Sequence, residues 1–295
     1  MSQKIVKNRF HLVREGRTQI LADPQFLKWL HKLGFEKVGE IFEKTQLDPS
    51  RGGRQGLRVF CPDGRHDHRF VVRHYAHGGL LRRLLGDRFF LGSRPFREMM
   101  ITEEIRKRGI PTVHVVAALC HRGWGPFYRG ELITEEIPGA RDVVSLLFDF
   151  GKAPSKREHL LRRETVRHAG RAVRLMHDRG VYHGDLNLKN ILVQTANRHD
   201  PGVFIIDFDR SKIRKSLSTR HRMRNLLRLN RSVEKWNTKG AGISYTDKAR
   251  FFQAYADGDS QIVHTMRRHL KGARIRARWY RIGWLADRLL NPADH

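Results

Sequence analysis

The stretch Tyr182-His183-Gly184-Asp185-Leu186-Asn187-Leu188-Lys189-Asn190, followed by Phe204-Ile205-Ile206-Asp207-Phe208-Asp209, decides how this chain is read. Val203-Phe204-Ile205-Ile206 is a short apolar run of strand type. Asp207 stands at its end, where a side chain can point into a cleft. Asp and Asn favour turns on their own account, so two polar turns beside core strands are the plain alternative. The spacing argues against it. A lone His-x-Asp is common by chance. A His-Gly-Asp with Asn five residues after the Asp, then an apolar strand ending in Asp, is not.

That compound pattern is how kinase-like phosphotransferases build their catalytic floor. Phosphoryl transfer needs a carboxylate to accept the attacking hydroxyl's proton, and ligands that hold magnesium against the phosphates. Asp185 meets the first need. Asn190 and Asp207 meet the second, because Mg²⁺ prefers oxygen ligands and shares itself with substrate phosphates. ATP and Mg²⁺ are therefore the expected cofactors. The expected fold is α+β: a protein-kinase-like, two-lobed chain with a small β-rich N-lobe over 1–137 and a larger helical C-lobe over 138–295.

The residues before the loop follow that order. Residues 1–35 read as irregular or short helical structure, with a helix starting at Pro24. Residues 37–43 and 57–60 have strand character and bracket the turn Asp48-Pro49-Ser50-Arg51-Gly52-Gly53-Arg54-Gln55-Gly56. Gly52 and Gly53 make this a candidate phosphate-covering loop, although glycine serves any tight turn. Arg69 to Tyr75 reads as the third strand of a kinase lobe, with Arg73 where protein kinases carry a Lys. Arg is also cationic and forks onto phosphate or carboxylate; the alternative is an exposed strand cation. The helical segment Pro95 to Arg108 offers Glu98, Glu103 and Glu104 as partners, and Glu98 is preferred for its apolar flanks Phe96, Met99 and Met100.

Pro111 to Leu119 and Tyr128 to Ile137 read as strands, and Pro138-Gly139 breaks the second at the expected hinge. Backbone from Glu135 to Ile137 is the expected contact for an adenine edge; an ordinary strand-to-helix connection is the alternative. Helices are expected over 141–150, 156–179, 219–235, 246–256, 258–271 and 274–290. Gly180 stops the second of these just before the loop.

Composition narrows the class. The chain has 295 residues, enough for one large or two smaller cores. No apolar run approaches the ~20 residues that span a bilayer, and the N-terminus has no signal-peptide core. Cys61 and Cys120 are isolated, which suits a reducing cytoplasm and argues against a disulfide framework. The seventeen His residues contain no His-Glu-x-x-His, so no metal site is expected beyond the magnesium. The formal charge of +28 implies a polyanionic neighbour: nucleic acid, an anionic membrane surface or a phosphorylated substrate. From Arg210 to Arg231 there are nine Lys or Arg residues and no acid.

Over roughly residues 45–236 the chain resembles the bacterial 3-deoxy-D-manno-octulosonic acid (Kdo) kinases, relatives of the lipopolysaccharide core heptose kinases. The stretches that carry the resemblance are Val71-Val72-Arg73-His74-Tyr75 with Gly78-Gly79-Leu80, then Arg97-Glu98, His183-Gly184-Asp185-Leu186-Asn187 and Ile206-Asp207-Phe208-Asp209-Arg210. Leu226 to Lys235 is similar to that family's distal helix. In the family Arg is usual at the third-strand position, and Asp209 replaces the Gly of the kinase Asp-Phe-Gly. The resemblance implies ATP-dependent phosphorylation of a Kdo hydroxyl on a lipid A precursor. Its acceptor would be lipid-linked and anionic, and the protein peripheral at the cytoplasmic face of the inner membrane.

Other readings stay open: a core heptose kinase, a protein or small-molecule kinase of the same fold, or a pseudokinase that binds nucleic acid through its charge. The intact set Asp185, Asn190 and Asp207 speaks against a dead site. No RRM, KH or zinc-finger signature accompanies the charge, so no specific nucleic acid is expected. Finally, Ile275, Trp279, Ile282, Ala286 and Leu289 recur at helical spacing among arginines. That makes a basic amphipathic helix suited to a membrane interface; packing of the same stripe on the C-lobe is the alternative.

Overall fold

The structure, a computed structural model, describes residues 4–6, 10–33, 46–48, 57–60, 69–75, 89–90, 93–123, 127–151, 154–197 and 199–271. Gly52 and Gly53, the strand-like run 37–43, the Gly78-Gly79-Leu80 stretch and the arginine-rich segment 273–295 lie outside the described residues. The chain divides into two compact units. One comprises Met1–Arg106 and Val113–Ile137, the other Lys107–Thr112 and Pro138–His295.

The first unit is built on an antiparallel sheet. Its strands are β1 (Lys4–Val6), β2 (Phe10–Glu15), β3 (Thr18–Ala22), β4 (Gln46–Asp48), β5 (Leu57–Phe60), β6 (Phe70–His74), β7 (Phe89–Phe90), β8 (Val115–Arg122) and β9 (Phe127–Glu135). Their order is β1-β2-β3-β8-β9-β6-β5-β4, with β7 paired to β9. Helices α1 (Pro24–Leu33) and α2 (Arg94–Lys107) belong to the same unit. Two apolar clusters occupy it. One joins Phe26 and Leu27 of α1 to Val13, Ile20, Phe70, Val72, Leu119 and Ile133. The other joins Met99 of α2 to Phe10, Leu21, Tyr75, Ala118, Tyr128 and Leu132. Neighbouring residues of one strand thus alternate between the clusters, as the strand period of two requires.

Residues 4–22 depart from the expectation of irregular or short helical structure: they form three strands, and β3 pairs along β8 from Thr18↔His121 to Ala22↔Ala117. Burial of both strand faces is the reason. Phe10 and Leu21 go to one cluster and Val13 and Ile20 to the other, which removes the apolar–polar alternation a half-exposed strand would show. The turn between β2 and β3 is two residues long, Gly16-Arg17, and Gly16 has φ +53°, a left-handed conformation that glycine adopts without strain. The strand after α2 also begins later than the sequence suggested, at Val115 rather than Pro111.

The second unit is mainly helical. It contains β10 (Ala140–Asp142), α3 (Val143–Asp149), α4 (Lys156–Asp178), β11 (Val181–Tyr182), a 3₁₀ turn (Leu188–Asn190), β12 (Ile191–Gln194), β13 (Gly202–Ile205), β14 (Lys212–Ile213), α5 (Thr219–Asn237), α6 (Tyr245–Ala256) and α7 (Ser260–Lys271). Strands β10-β12-β13 form one small sheet and β11-β14 another. Asp142 caps α3 by accepting from the Val144 and Ser145 amides. Ser155 and Glu158 close a reciprocal capping box on α4, which satisfies N–H groups that the first helical turn leaves open. Leu161, Val173 and Met176 of α4 are buried, as are Leu186, Ile191, Ile205 and Phe208 around the loop that follows. The loop therefore rests on packed side chains on its inner side.

The dependence of the first unit on α1 can be measured. Phe26 is buried and its ring meets Phe70 edge-on at 5.0 Å. Phe26→Ala should lower stability by about 3 kcal/mol in chemical denaturation, the usual loss for a buried aromatic. A loss below about 1 kcal/mol would show that α1 is peripheral to the core.

Candidate active site

Asp185 is fixed through its backbone. Its carbonyl accepts from the side-chain amides of both Asn187 and Asn190, each at 2.9 Å, and its N–H donates to His183 Nδ1 at 3.0 Å. The other ring nitrogen of His183 lies 3.0 Å from the Ile206 carbonyl. A carbonyl only accepts, so Nε2 carries the proton and Nδ1 the lone pair. The ring is neutral, and burial holds its pKa below the usual histidine range. The Ile206 N–H donates to the Asn190 carbonyl at 3.0 Å. The residue before Asp207 is thus gripped at both backbone groups by the loop that carries Asp185 and Asn190.

Asp207 itself has φ +67°, a left-handed conformation that costs a non-glycine residue free energy and that only surrounding structure can impose. The grip on Ile206 and the buried Phe208, whose ring lies 4.9 Å from that of His183, supply that constraint on either side. Asn190 is buried and commits its amide nitrogen to Asp185, so its oxygen is the atom left for a cation. The donors available are a carboxylate and a carboxamide oxygen, which fit a magnesium ion that completes its shell with phosphates and water. Among the described residues no cluster of three His, Cys, Asp or Glu could hold a metal.

Helix α5 holds the loop from the far side, and here sequence reasoning missed several residues. Asn225, fully buried, donates from Nδ2 to the His183 carbonyl at 2.6 Å and accepts the His183 N–H at Oδ1 at 3.1 Å. The same Oδ1 accepts from His177 Nε2 at 3.1 Å, and His177 Nδ1 accepts from the Tyr255 hydroxyl at 2.8 Å. Ser232 accepts the Leu188 N–H and Ser211 the Gly184 N–H. Gly184 has no alternative: a Cβ there would overlap the backbone of Arg210. Arg228 Nη1 lies 2.7 Å from Asp185 Oδ1, and both side chains are partly exposed. The run of cations from 210 to 231 contains Arg228, but a charge count does not single it out.

In the first unit, Arg73 and Glu98 form an ion pair. Glu98 is 1% exposed and also accepts from the Tyr75 hydroxyl, which in turn accepts from Arg73 Nη2 at 3.1 Å. Of the three glutamates considered, Glu103 turns instead to Arg106 on its own helix. The Arg73 guanidinium lies 4.9 Å from the centre of the Tyr75 ring. The N–H of Glu135 donates to the His114 carbonyl and that of Glu136 to the Arg69 carbonyl, so those two amides are engaged. Ile137 supplies the next amide before Pro138. The Glu135 side chain is half exposed, 3.2 Å from the His114 ring.

A small antiparallel sheet unit in which an arginine pairs with a buried glutamate, joined to a helical unit with this loop, defines a phosphotransferase of the protein-kinase-like class. Comparison with known proteins is specific. Residues 50–255 match the model of the lipopolysaccharide kinase (Kdo/WaaP) family. A 3-deoxy-D-manno-octulosonic acid kinase of Haemophilus influenzae is 34% identical over 228 residues, covering 74% of this chain and 90% of its own. One from Vibrio cholerae is 35% identical over 169 residues; the match covers 56% of this chain and 65% of the relative, just under two thirds of its length. One from Vibrio vulnificus is 33% identical over 228 residues, covering 73% of this chain and 89% of the relative. A solved structure, WaaP in complex with acyl carrier protein, superposes with a TM-score of 0.52 at 21% identity, over 85% of this chain and 97% of that one, and speaks to the fold. The chain belongs to the lipopolysaccharide kinase (Kdo/WaaP) family.

The buried relay makes the protein acid-sensitive. Burial lowers the His177 pKa to about 3 from an ordinary 6.5. Between those values the unfolded chain binds the proton and the folded chain does not, so stability rises with pH there. Stability should be complete above about pH 6.5 and be lost progressively as pH falls towards 3. Melting temperature measured across this window should decline, and His177→Gln should flatten the decline. An equally steep slope in the variant would place the titration elsewhere.

Proposed function

We propose that this chain is an ATP-dependent kinase that phosphorylates a Kdo hydroxyl on a lipid A precursor during assembly of the lipopolysaccharide core. The observation that carries the proposal is the loop geometry: Asp185 held by two carboxamides, with Ile206 tied to the same loop so that Asp207 follows in a fixed, left-handed position. The names of the relatives favour Kdo as acceptor. The match to the WaaP structure bears on fold and does not choose an acceptor.

In this reading Asp185 takes the proton from the acceptor hydroxyl. The hydroxyl oxygen bonds the γ-phosphorus while the bridging oxygen leaves with ADP, taking the bonding electron pair. Asn190 and Asp207 would hold Mg²⁺, which when bound would supply charge neutralisation at the phosphates. Arg73 reaches a phosphate and Glu98 keeps its guanidinium in place, since an unpaired arginine has many rotamers to lose. Ile137, as the amide past the engaged Glu135 and Glu136, meets the adenine edge. Arg228 fixes one oxygen of Asp185 and leaves the other for the hydroxyl.

The acceptor is lipid-linked, and the excess of basic residues suits an anionic membrane surface at the cytoplasmic face of the inner membrane. No helix among the described residues is long and apolar enough to cross a membrane. Incubating the purified protein with ATP and Kdo-bearing or heptose-bearing lipid A precursors, with mass spectrometry of the products, tests the proposal. Phosphate on the Kdo acceptor is expected. Transfer only to the heptose acceptor would overturn the acceptor, and no transfer would overturn the reaction.

Two substitutions test the roles. Asp185→Asn keeps the size and removes the charge, so turnover should fall about 10²–10⁴-fold while ATP binding, read by calorimetry, persists. Near-normal turnover would remove Asp185 from the role of base. Arg228→Gln should lower kcat about tenfold to a hundredfold and leave the KM for ATP and the unfolding free energy nearly unchanged, because the ion pair is solvent-exposed. Arg228→Lys should fall between. An effect confined to KM would show that Arg228 binds substrate and does not orient the base.

A further inference from the structure

Among the described residues the exposed large apolar side chains are Phe148, 43% exposed, and Tyr245, 47% exposed. Both lie beside the C-terminal end of α5. The Phe148 ring meets Trp236 edge-on at 6.0 Å. Tyr245 lies under Lys248, 5.3 Å from the ring centre, and Lys248 is bonded to Glu234 of α5. Three further ammonium groups surround Trp236: Lys239 at 5.0 Å, Lys189 at 5.3 Å and Lys235 at 5.9 Å from its ring centre. The nearby acids are neutralised within the patch, Glu234 by Lys248 and Asp149 by Arg141. The patch is an aromatic centre bordered by ammonium groups.

We propose that this surface, Phe148 and Trp236 with Lys189, Lys235 and Lys239, is the face by which the protein rests on an anionic phospholipid leaflet. The proposal rests on the reading of the acceptor as lipid-linked and adds the residues that meet the membrane. Three properties of the patch select a bilayer. Indole and phenyl rings partition to the level of the headgroups, with one part apolar and the other wet. Lysine stems lie along apolar surface while their ammonium groups reach out to phosphates. The lysines also sit against the Trp236 ring, and a nucleobase needs an open aromatic face on which to stack. Position agrees with chemistry: Lys189 lies in the loop that carries Asp185 and Asn190. A leaflet touched by Lys189 presents its embedded sugars near that loop.

The test uses the full chain and vesicles of phosphatidylcholine alone or mixed with phosphatidylglycerol. Three variants are compared with the parent in co-sedimentation: Lys235→Gln with Lys239→Gln, Phe148→Ser, and Arg157→Gln with Arg171→Gln as a charge-matched change on the exposed side of α4. The parent should bind the anionic vesicles. The lysine pair should weaken that binding tenfold or more, at about fivefold for each lysine, and Phe148→Ser severalfold. The α4 variant should bind as the parent does. Transfer to a vesicle-embedded Kdo acceptor should fall with binding, and transfer to a soluble, acyl-free Kdo acceptor should stay unchanged in all three.

Parent protein that ignores anionic vesicles, a lysine variant that binds as tightly as the parent, or an equal loss in the α4 variant would each overturn the proposal. Loss of binding to single-stranded RNA or to an acidic protein, with vesicle binding intact, would reassign the surface to that partner. Vesicle binding is read without ATP or acceptor, so it decides the proposal even if no phosphate transfer is found.

Discussion

The carboxamide of Asn225 closes on both backbone groups of His183, and the geometry of the loop depends on that closure. One side chain from α5 does for an isolated peptide unit what a neighbouring strand does in a sheet. It could not do so alone, because its oxygen must be oriented, and His177 and Tyr255 orient it from behind. From His183 the constraint passes in two directions: through Nδ1 to the Asp185 amide, and through Nε2 to the Ile206 carbonyl beside Asp207. Candidate base and candidate metal ligand are therefore referred to one imidazole. A buried network of this kind is specific only while every member is satisfied, since each orphaned group costs about 1–3 kcal/mol. The neutral state of both histidines follows from the same burial.

Two guanidinium–carboxylate pairs contrast with each other in environment. Glu98 is almost wholly enclosed, so its charge has to be matched by Arg73 and by the Tyr75 hydroxyl. Removing either partner would strand a buried carboxylate, which is expensive. Asp185 and Arg228 meet in partly exposed surroundings, where water screens the attraction and the pair contributes little to stability. The first pair is a fixture of the sheet unit. The second is loose enough for a substrate group to compete with either member.

Legibility in the sequence followed the range of the interactions. Asp185 and Asn190 are five residues apart in one loop, and Asp207 follows the strand beside it, so local spacing marked all three as candidates. Glu98 was legible from its apolar neighbours on one helix. Asn225, Arg228 and Ser232 were not, because they meet their loop partners across separations of 42, 43 and 44 residues. Nothing near them in sequence records the contact. Strands β2 and β3 were hidden for a different reason: with apolar side chains buried on both faces, they lack the alternation that betrays a strand in a half-exposed sheet. The two-residue turn at Gly16-Arg17 was the available clue.

Those strands have a consequence for how the family's boundary is understood. The family model matches from residue 50, and upstream of it β3 occupies the hydrogen-bonding margin of β8, a strand whose residues Val115 to Cys120 are all buried. A chain cut at the limit of similarity would leave β8 as a bare edge, with a row of open amides and carbonyls beside apolar surface uncovered by α1. Such edges recruit strands from other molecules. The N-terminal segment thus covers the margin of β8 as well as contributing to the core.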